Sequence, residues 1–194
     1  QTLYHFVWGE LCDWYIELAK LAFQGGDEER RRAAQATLVA VLRGALTALH
    51  PVMPFVTDEI AASLPDADGR FLMEGRYPER AEPLDAGSAR EMDTLVDVVT
   101  RIRQVRGELE LPQSTLVGVT FPNAAEPFVR RHGAAIRALA RAAEPLCSDD
   151  PPSPTASVVL VQGWSLRVEL DDPRFVADEV RRLDKELVRI DKDL

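Results

Sequence analysis

Arg106 is the residue whose setting most demands an explanation. It occupies the gap in an apolar stripe, Met92, Leu95, Val99, Ile102 and Leu109, that recurs at helical spacing. A guanidinium in that gap must pair with a carboxylate, snorkel to the surface or face a ligand, because burying it unpaired is costly. Two chemistries compete for it, a structural ion pair inside a helix bundle and a charge-assisted contact to RNA. Arg103 lies on the next flank of the same helix and Arg101 further round, where a solvated face is the simpler reading. Trp14 falls off the apolar stripe of its own helix, beside Asp13, and is open either to packing or to stacking on an unpaired base. Trp8 and Tyr15 fall on that stripe and are expected in the core. Candidates for RNA contact are therefore Arg103, Arg106, Trp14 and Arg101.

The residue types that carry catalysis are scattered. His5, His50 and His132 are far apart, and none has a Cys or His at ligand spacing. Cys12 and Cys147 form no CxxC pattern and are expected to be reduced packing residues. There is no P-loop, no GxGxxG, no HExxH and no Ser or Cys nucleophile motif. No catalytic residue, metal ligand or cofactor site is assigned to this stretch of chain. Its net charge of −9 argues mildly against a polyanionic partner, since phosphate binding relies on Lys and Arg. Yet 20 of the 23 basic residues are Arg, the better residue for bidentate phosphate contacts, so charge alone does not decide the partner. No run of 18 apolar residues and no charged-then-apolar leader occurs, so no membrane partner and a cytoplasmic location are expected.

The elements that must position these residues read mostly as helices. In the first, Tyr4, Trp8, Leu11, Tyr15 and Leu18 are spaced four, three, four and three. Gln24-Gly25-Gly26 stops it, and Asp27-Glu28-Glu29 opens a second helix that runs to about Leu49, before Pro51. Arg30-Arg31-Arg32 follows those acids at three and four residues, which is most simply self-compensating. Thr57 is a plausible cap for a short helix through Leu64, and residues 70–86 read as an extended loop. Ser88-Ala89-Arg90-Glu91 fits a capping box for a long helix ending at Pro112. Strands follow at 115–121, 156–162 and 165–170, the last two flanking a Gly163-Trp164 turn, with a helix at about 125–143 between them. Arg130, Arg131, Arg137 and Arg141 would form a basic edge on that helix. Val176, Val180, Leu183, Leu187, Ile190 and Leu194 make a heptad seam.

Four segments carry a family resemblance. YHFVWGELCDWYIELAK, Tyr4 to Lys20, resembles a helix in the anticodon-binding domain of class I aminoacyl-tRNA synthetases, and within them the valyl branch, where Phe-Cys-Asp-Trp-Tyr is typical and Leu11 here replaces the Phe. LTALHPVMPFVTDEI is similar to the same family's helix exit, although Ala61 stands where a Trp is usual. IRQVRGELELP is similar to its Arg-x-x-Arg segment, and Val180 to Leu194 to the start of its C-terminal coiled-coil arm. Pro151 to Ser165 matches only in position and pattern.

The resemblance implies a mainly α fold: a helical bundle of the anticodon-binding type over 1–112, a small α/β junction domain over 113–170, and the start of a coiled-coil helix over 171–194. It further implies a C-terminal fragment of a longer enzyme that ligates valine to its tRNA. The partners would be the tRNA anticodon stem-loop, the outer corner of the tRNA through the arm, and the parent catalytic domain, where ATP and magnesium would be used. Neither His-x-Gly-His nor Lys-Met-Ser-Lys-Ser occurs here, so the fragment would recognise RNA without catalysing. The rival readings are the isoleucyl or leucyl branch, and a helical protein-interaction module that dimerises through the seam and binds no RNA.

Overall fold

The helix-breaking residues set the first elements. The structure, a computed structural model, describes residues 1–65, 67, 69–79, 85–154 and 156–169. Its contacts divide the chain into two units, Gln1–Leu84 and Asp85–Leu194. The heptad seam of 171–194 lies outside the described residues.

In the first unit, α1 (Thr2–His5) passes without a break into a π-helical segment, Phe6–Tyr15, and then α2 (Ile16–Gln24). The Ile16 amide reaches back five residues to the Leu11 carbonyl, as a π turn requires. That wider turn defeats a stripe counted at α spacing. Leu11 is 2% exposed, but Trp8, expected in the core, is 61% exposed and stacks on Tyr4 with ring centroids 5.5 Å apart. Tyr15 is half-buried. Cys12, expected to be a packing residue, is exposed.

Gly25 leaves the helix in an extended conformation, and α3 (Glu28–Leu49) begins where the Asp27 side chain accepts from the Arg30 amide at 3.0 Å. Glu28 pairs with both Arg31 and Arg32, the self-compensation expected of that run. The next helix, α4 (Pro54–Ala62), starts three residues before the expected cap, with Pro54 in its first turn, where a missing amide hydrogen costs nothing. Thr57 is instead buried inside α4. Its hydroxyl donates to the Met53 carbonyl at 2.8 Å and lies 2.9 Å from His50 Nδ1. Asp58 accepts from the Leu72 amide at 2.8 Å, anchoring a single 3-10 turn, Leu72–Glu74, inside the stretch read as loop. Leu46, Ala61 and Leu72 form the core here, with Leu42 and Leu64 packed against it.

The second unit opens with α5 (Ala86–Glu108). Its cap is Asp85, whose carboxylate accepts from the Gly87 and Ser88 amides, while the Ser88 hydroxyl donates to Asp85. The expected capping box does not form, because Ser88 is already inside the helix and Glu91 faces Arg131 and His132. Strand β1 (Gly118–Phe121), helix α6 (Glu126–Ala140) and strand β2 (Leu146–Cys147) follow, then a hairpin of β3 (Ser157–Val161) and β4 (Trp164–Glu169). The sheet order is β2-β1-β4-β3, with β1 and β2 parallel across α6 and the other pairs antiparallel. The hairpin turn is Gln162-Gly163, both at positive φ, so Trp164 belongs to the strand rather than to the turn. Strand β2 has no signature in the sequence, because two residues are too short to show alternation.

Helix α5, grouped with the first bundle by the sequence reading, packs principally on α6 and β3. Leu95, Val98, Val99, Ile102 and Val105 of α5 are buried, as are Val119 and Phe121 of β1, Ile136 and Leu139 of α6, and Leu166 and Val168 of β4. The observed fold is thus mainly α with a small α/β part.

Candidate nucleic-acid interface

Helix α5 brings two of the four candidates together at its C-terminal end. The helix ends at Glu108, ahead of the expected stop at Pro112, and the chain turns into β1 through Glu110, a non-glycine residue at φ 49°. Arg106 reaches three carbonyls around this turn, of which that of Pro112 also accepts from the Thr115 amide and that of Arg141 from the Val117 amide. Only 9% exposed, it donates from Nη1 to the Thr115 carbonyl at 2.6 Å and the Arg141 carbonyl at 3.4 Å, and from Nη2 to the Pro112 carbonyl at 3.0 Å. The gap in the apolar stripe is filled neither by a carboxylate pair nor by a fully open cation. Desolvation, followed by the nearby Arg141 guanidinium, holds Arg106 below its ordinary value.

Arg103, one turn earlier, donates from Nε to the Leu139 carbonyl at the end of α6, at 2.9 Å. Both arginines line a cavity of about 470 Å³ together with Glu110, Gln113, Leu139 and Arg141. Arg141 caps α6 in the left-handed conformation, φ 55° and ψ 44°. The sequence reading placed Arg141 only on a basic helix edge; the signal that a non-glycine residue ends the helix is invisible without the backbone.

Arg101 does not line this cavity. It is exposed, 3.7 Å from Asp97 and 3.3 Å from Gln104. Trp14 lies in the π-helical segment of the first unit, half-buried and partnered. Along α6, Arg131 pairs with Glu91 at 2.6 Å and Arg137 with Glu144 at 2.7 Å, so the basic edge is partly neutralised. His132 lies 3.0 Å from Glu91 and against Phe128, which in turn touches Trp164, a packed arrangement with the ring centroids 4.8 and 5.1 Å apart.

Among the described residues no three His, Cys, Asp or Glu side chains group to hold a metal ion, and no helix is long and apolar enough to cross a membrane.

Comparison with known proteins places the chain. The family model described as the anticodon-binding domain of tRNA ligase matches residues 1–120, across both units as far as β1. The valine–tRNA ligase of Geobacillus stearothermophilus is 34% identical over 193 residues, covering 96% of this chain and 22% of that protein. That of Agrobacterium fabrum is 36% identical over 198 residues, covering 99% of this chain and 21% of its own length. A third, from Lactobacillus johnsonii, is 38% identical over 120 residues, 61% of this chain and 14% of its own length. The chain spans about a fifth of the length of the curated relatives it matches in full. With the model match covering more than half of its residues, the chain belongs to the family of anticodon-binding domains of tRNA ligases.

Proposed function

We propose that this chain is the tRNA-recognition region of a valine–tRNA ligase, with residues 1–112 supplying the anticodon-facing helices, 113–170 as a junction and 171–194 as the start of a helical arm. The observation that carries the reading is the co-occurrence of the family match over 1–120 with valine–tRNA ligase relatives that align along almost the whole chain. These relatives favour the valyl branch over the isoleucyl and leucyl ones. The ligase reaction, valine joined to its tRNA with ATP cleaved to AMP and diphosphate, belongs to the remainder of the protein. ATP and magnesium bind there, in the cytoplasm.

The physical role is remote binding. Contacts to the anticodon stem-loop are made far from the reacting ends, and their energy is used to position the acceptor end for transfer. Arg103, Arg101 and Trp14 are the proposed RNA contacts, Arg103 and Arg101 to phosphate and Trp14 by stacking, and Arg106 contributes by holding the turn beneath Arg103. The first unit also carries exposed apolar side chains, Val52, Phe55, Val56, Phe71 and Met73, with Phe55 90% exposed. Such a concentration suits a protein surface, and the catalytic part of the same enzyme is its proposed partner.

The test is direct binding of the purified chain to valine tRNA and to an anticodon-substituted copy, at low and moderate salt. Preference for the unaltered anticodon is expected; a chain that binds neither RNA even at low salt would overturn the reading. In the intact ligase, deleting the region should abolish transfer to tRNA while sparing valyl-adenylate formation.

A further inference from the structure

The cavity between the C-terminal ends of α5 and α6 is an unusual place to gather three guanidinium groups. Helix C-termini carry negative partial charge, and arginines there ordinarily serve to bind the last carbonyls. Arg103 does so at the Leu139 carbonyl of α6, while Arg106 holds the Thr115 and Pro112 carbonyls of the loop that follows α5. Arg141 does not. Its guanidinium has no hydrogen bond or ion pair among the described residues, although its own carbonyl is held by Arg106.

Charge decides what such a cavity can take. Three arginines line it against one carboxylate, that of Glu110. Each helix end adds roughly half a negative charge, so a surplus of about one positive charge remains. In a chain of net charge −9 that surplus is local and must be deliberate or offset. Backbone strain points the same way. Of the three non-glycine residues at positive φ among those described, Glu110 and Arg141 both line this cavity. Left-handed non-glycine residues cost free energy and gather where the surrounding structure has a use for the geometry.

We propose that the cavity bounded by Arg103, Arg106 and Arg141 holds a single phosphodiester group of an RNA backbone, with Arg141 as the principal contact and Arg103 as the second. A phosphodiester carries one negative charge, matching the surplus, and its two non-bridging oxygens suit a planar guanidinium fork. Arg106 is a positioning residue: it fixes the Arg141 backbone through its carbonyl and so aims the side chain. The contact is to phosphate alone and carries no base preference, so it supplies affinity and register while the sequence is read elsewhere. This inference rests on the tRNA-binding reading above and adds to it a specific anion site outside the first unit.

The experiment compares the wild-type chain with Arg141→Asn, which tolerates the left-handed conformation, and with Arg130→Asn, an exposed arginine of α6 outside the cavity that removes the same charge. Binding of fluorescent tRNA is followed against salt. Arg141→Asn should weaken binding by roughly 10-fold, equally for natural and anticodon-substituted tRNA. The slope of log affinity against log salt should fall by about 1, while Arg130→Asn leaves both unchanged. If Arg141→Asn and Arg130→Asn behave alike, the site is overturned and the tRNA-binding reading stands. If the wild type binds no RNA, both fall together. Inorganic phosphate at matched ionic strength separates the source of the anion. A rise in melting temperature with phosphate that Arg141→Asn abolishes, without any loss of RNA affinity, would assign the cavity to a free anion and overturn the backbone contact. Should the Asn variant fail to fold, Arg141→Gly, which relieves the backbone at φ 55°, replaces it.

Discussion

Arg106 serves three carbonyls with one side chain, and the consequences of removing it differ from those of removing a surface charge. Arg106→Ala leaves the Thr115 carbonyl without its donor and takes one of two donors from the Pro112 and Arg141 carbonyls, and should cost about 1–3 kcal/mol, seen as a lower urea midpoint. Arg106→Lys should rescue little, since a compact ammonium cannot span the same acceptors. Glu91 offers a pH-dependent counterpart. Its carboxyl is held below the ordinary range by the hydrogen bond to His132 first, and then by Arg131. A depressed carboxylate contributes stability that is full above its unfolded pKa, about 4.3, and is lost as pH falls through the lower folded value. Glu91→Gln should therefore flatten the acid limb of the stability curve; urea midpoints that fall equally steeply in both proteins would contradict this. In the sequence, Arg106 was recognisable as anomalous from its place in the apolar stripe. Its partners were not, because the backbone carbonyls that gather around a turn have no signature in residue types.

At the level of elements, long helices were legible and their ends were not. Helices α3, α5 and α6 follow apolar spacing, the first two with a proline beyond their ends, and the β3–β4 hairpin follows β-branched runs about a turn. The caps moved because several polar residues near each start could serve. Asp85 wins over Ser88 by reaching two amides at once, and Pro54 starts α4 before Thr57 is reached. Asp85→Ala should accordingly cost about 1 kcal/mol, whereas Ser88→Ala should cost less. Thermal melts of the two variants check the order. The π-helical segment explains the largest displacement, that of Trp8, since any face counted at α spacing drifts when the turn widens.

The whole chain combines an acidic net charge with local features that oppose it. Its exposed apolar residues in the first unit are expected to matter for association more than for folding. Phe55→Ser combined with Phe71→Ser should leave the unfolding midpoint within about 0.5 kcal/mol of wild type. The same pair should reduce binding of a hydrophobic dye and of the catalytic part of the enzyme supplied in trans. A midpoint that drops sharply would instead make these side chains part of the core. Membership of the anticodon-binding family was readable from three short segments within residues 1–120, while the local positive site was not, because Arg103 and Arg141 lie 38 positions apart and meet only when α5 and α6 end side by side.

Arg106 is not alone in its clamping role: Arg167 of β4, also 9% exposed, donates to the Ser148 carbonyl at 2.7 Å and to that of Asp150. Both heads are enclosed and engaged, which makes them poor targets for dicarbonyl reagents that condense with accessible guanidinium groups. Among 20 arginines, tryptic peptide mapping after brief phenylglyoxal treatment should find Arg141 modified and Arg106 and Arg167 spared. Bound RNA should then shield Arg141 selectively, turning the contrast between clamped and open arginines into a chemical footprint of the interface.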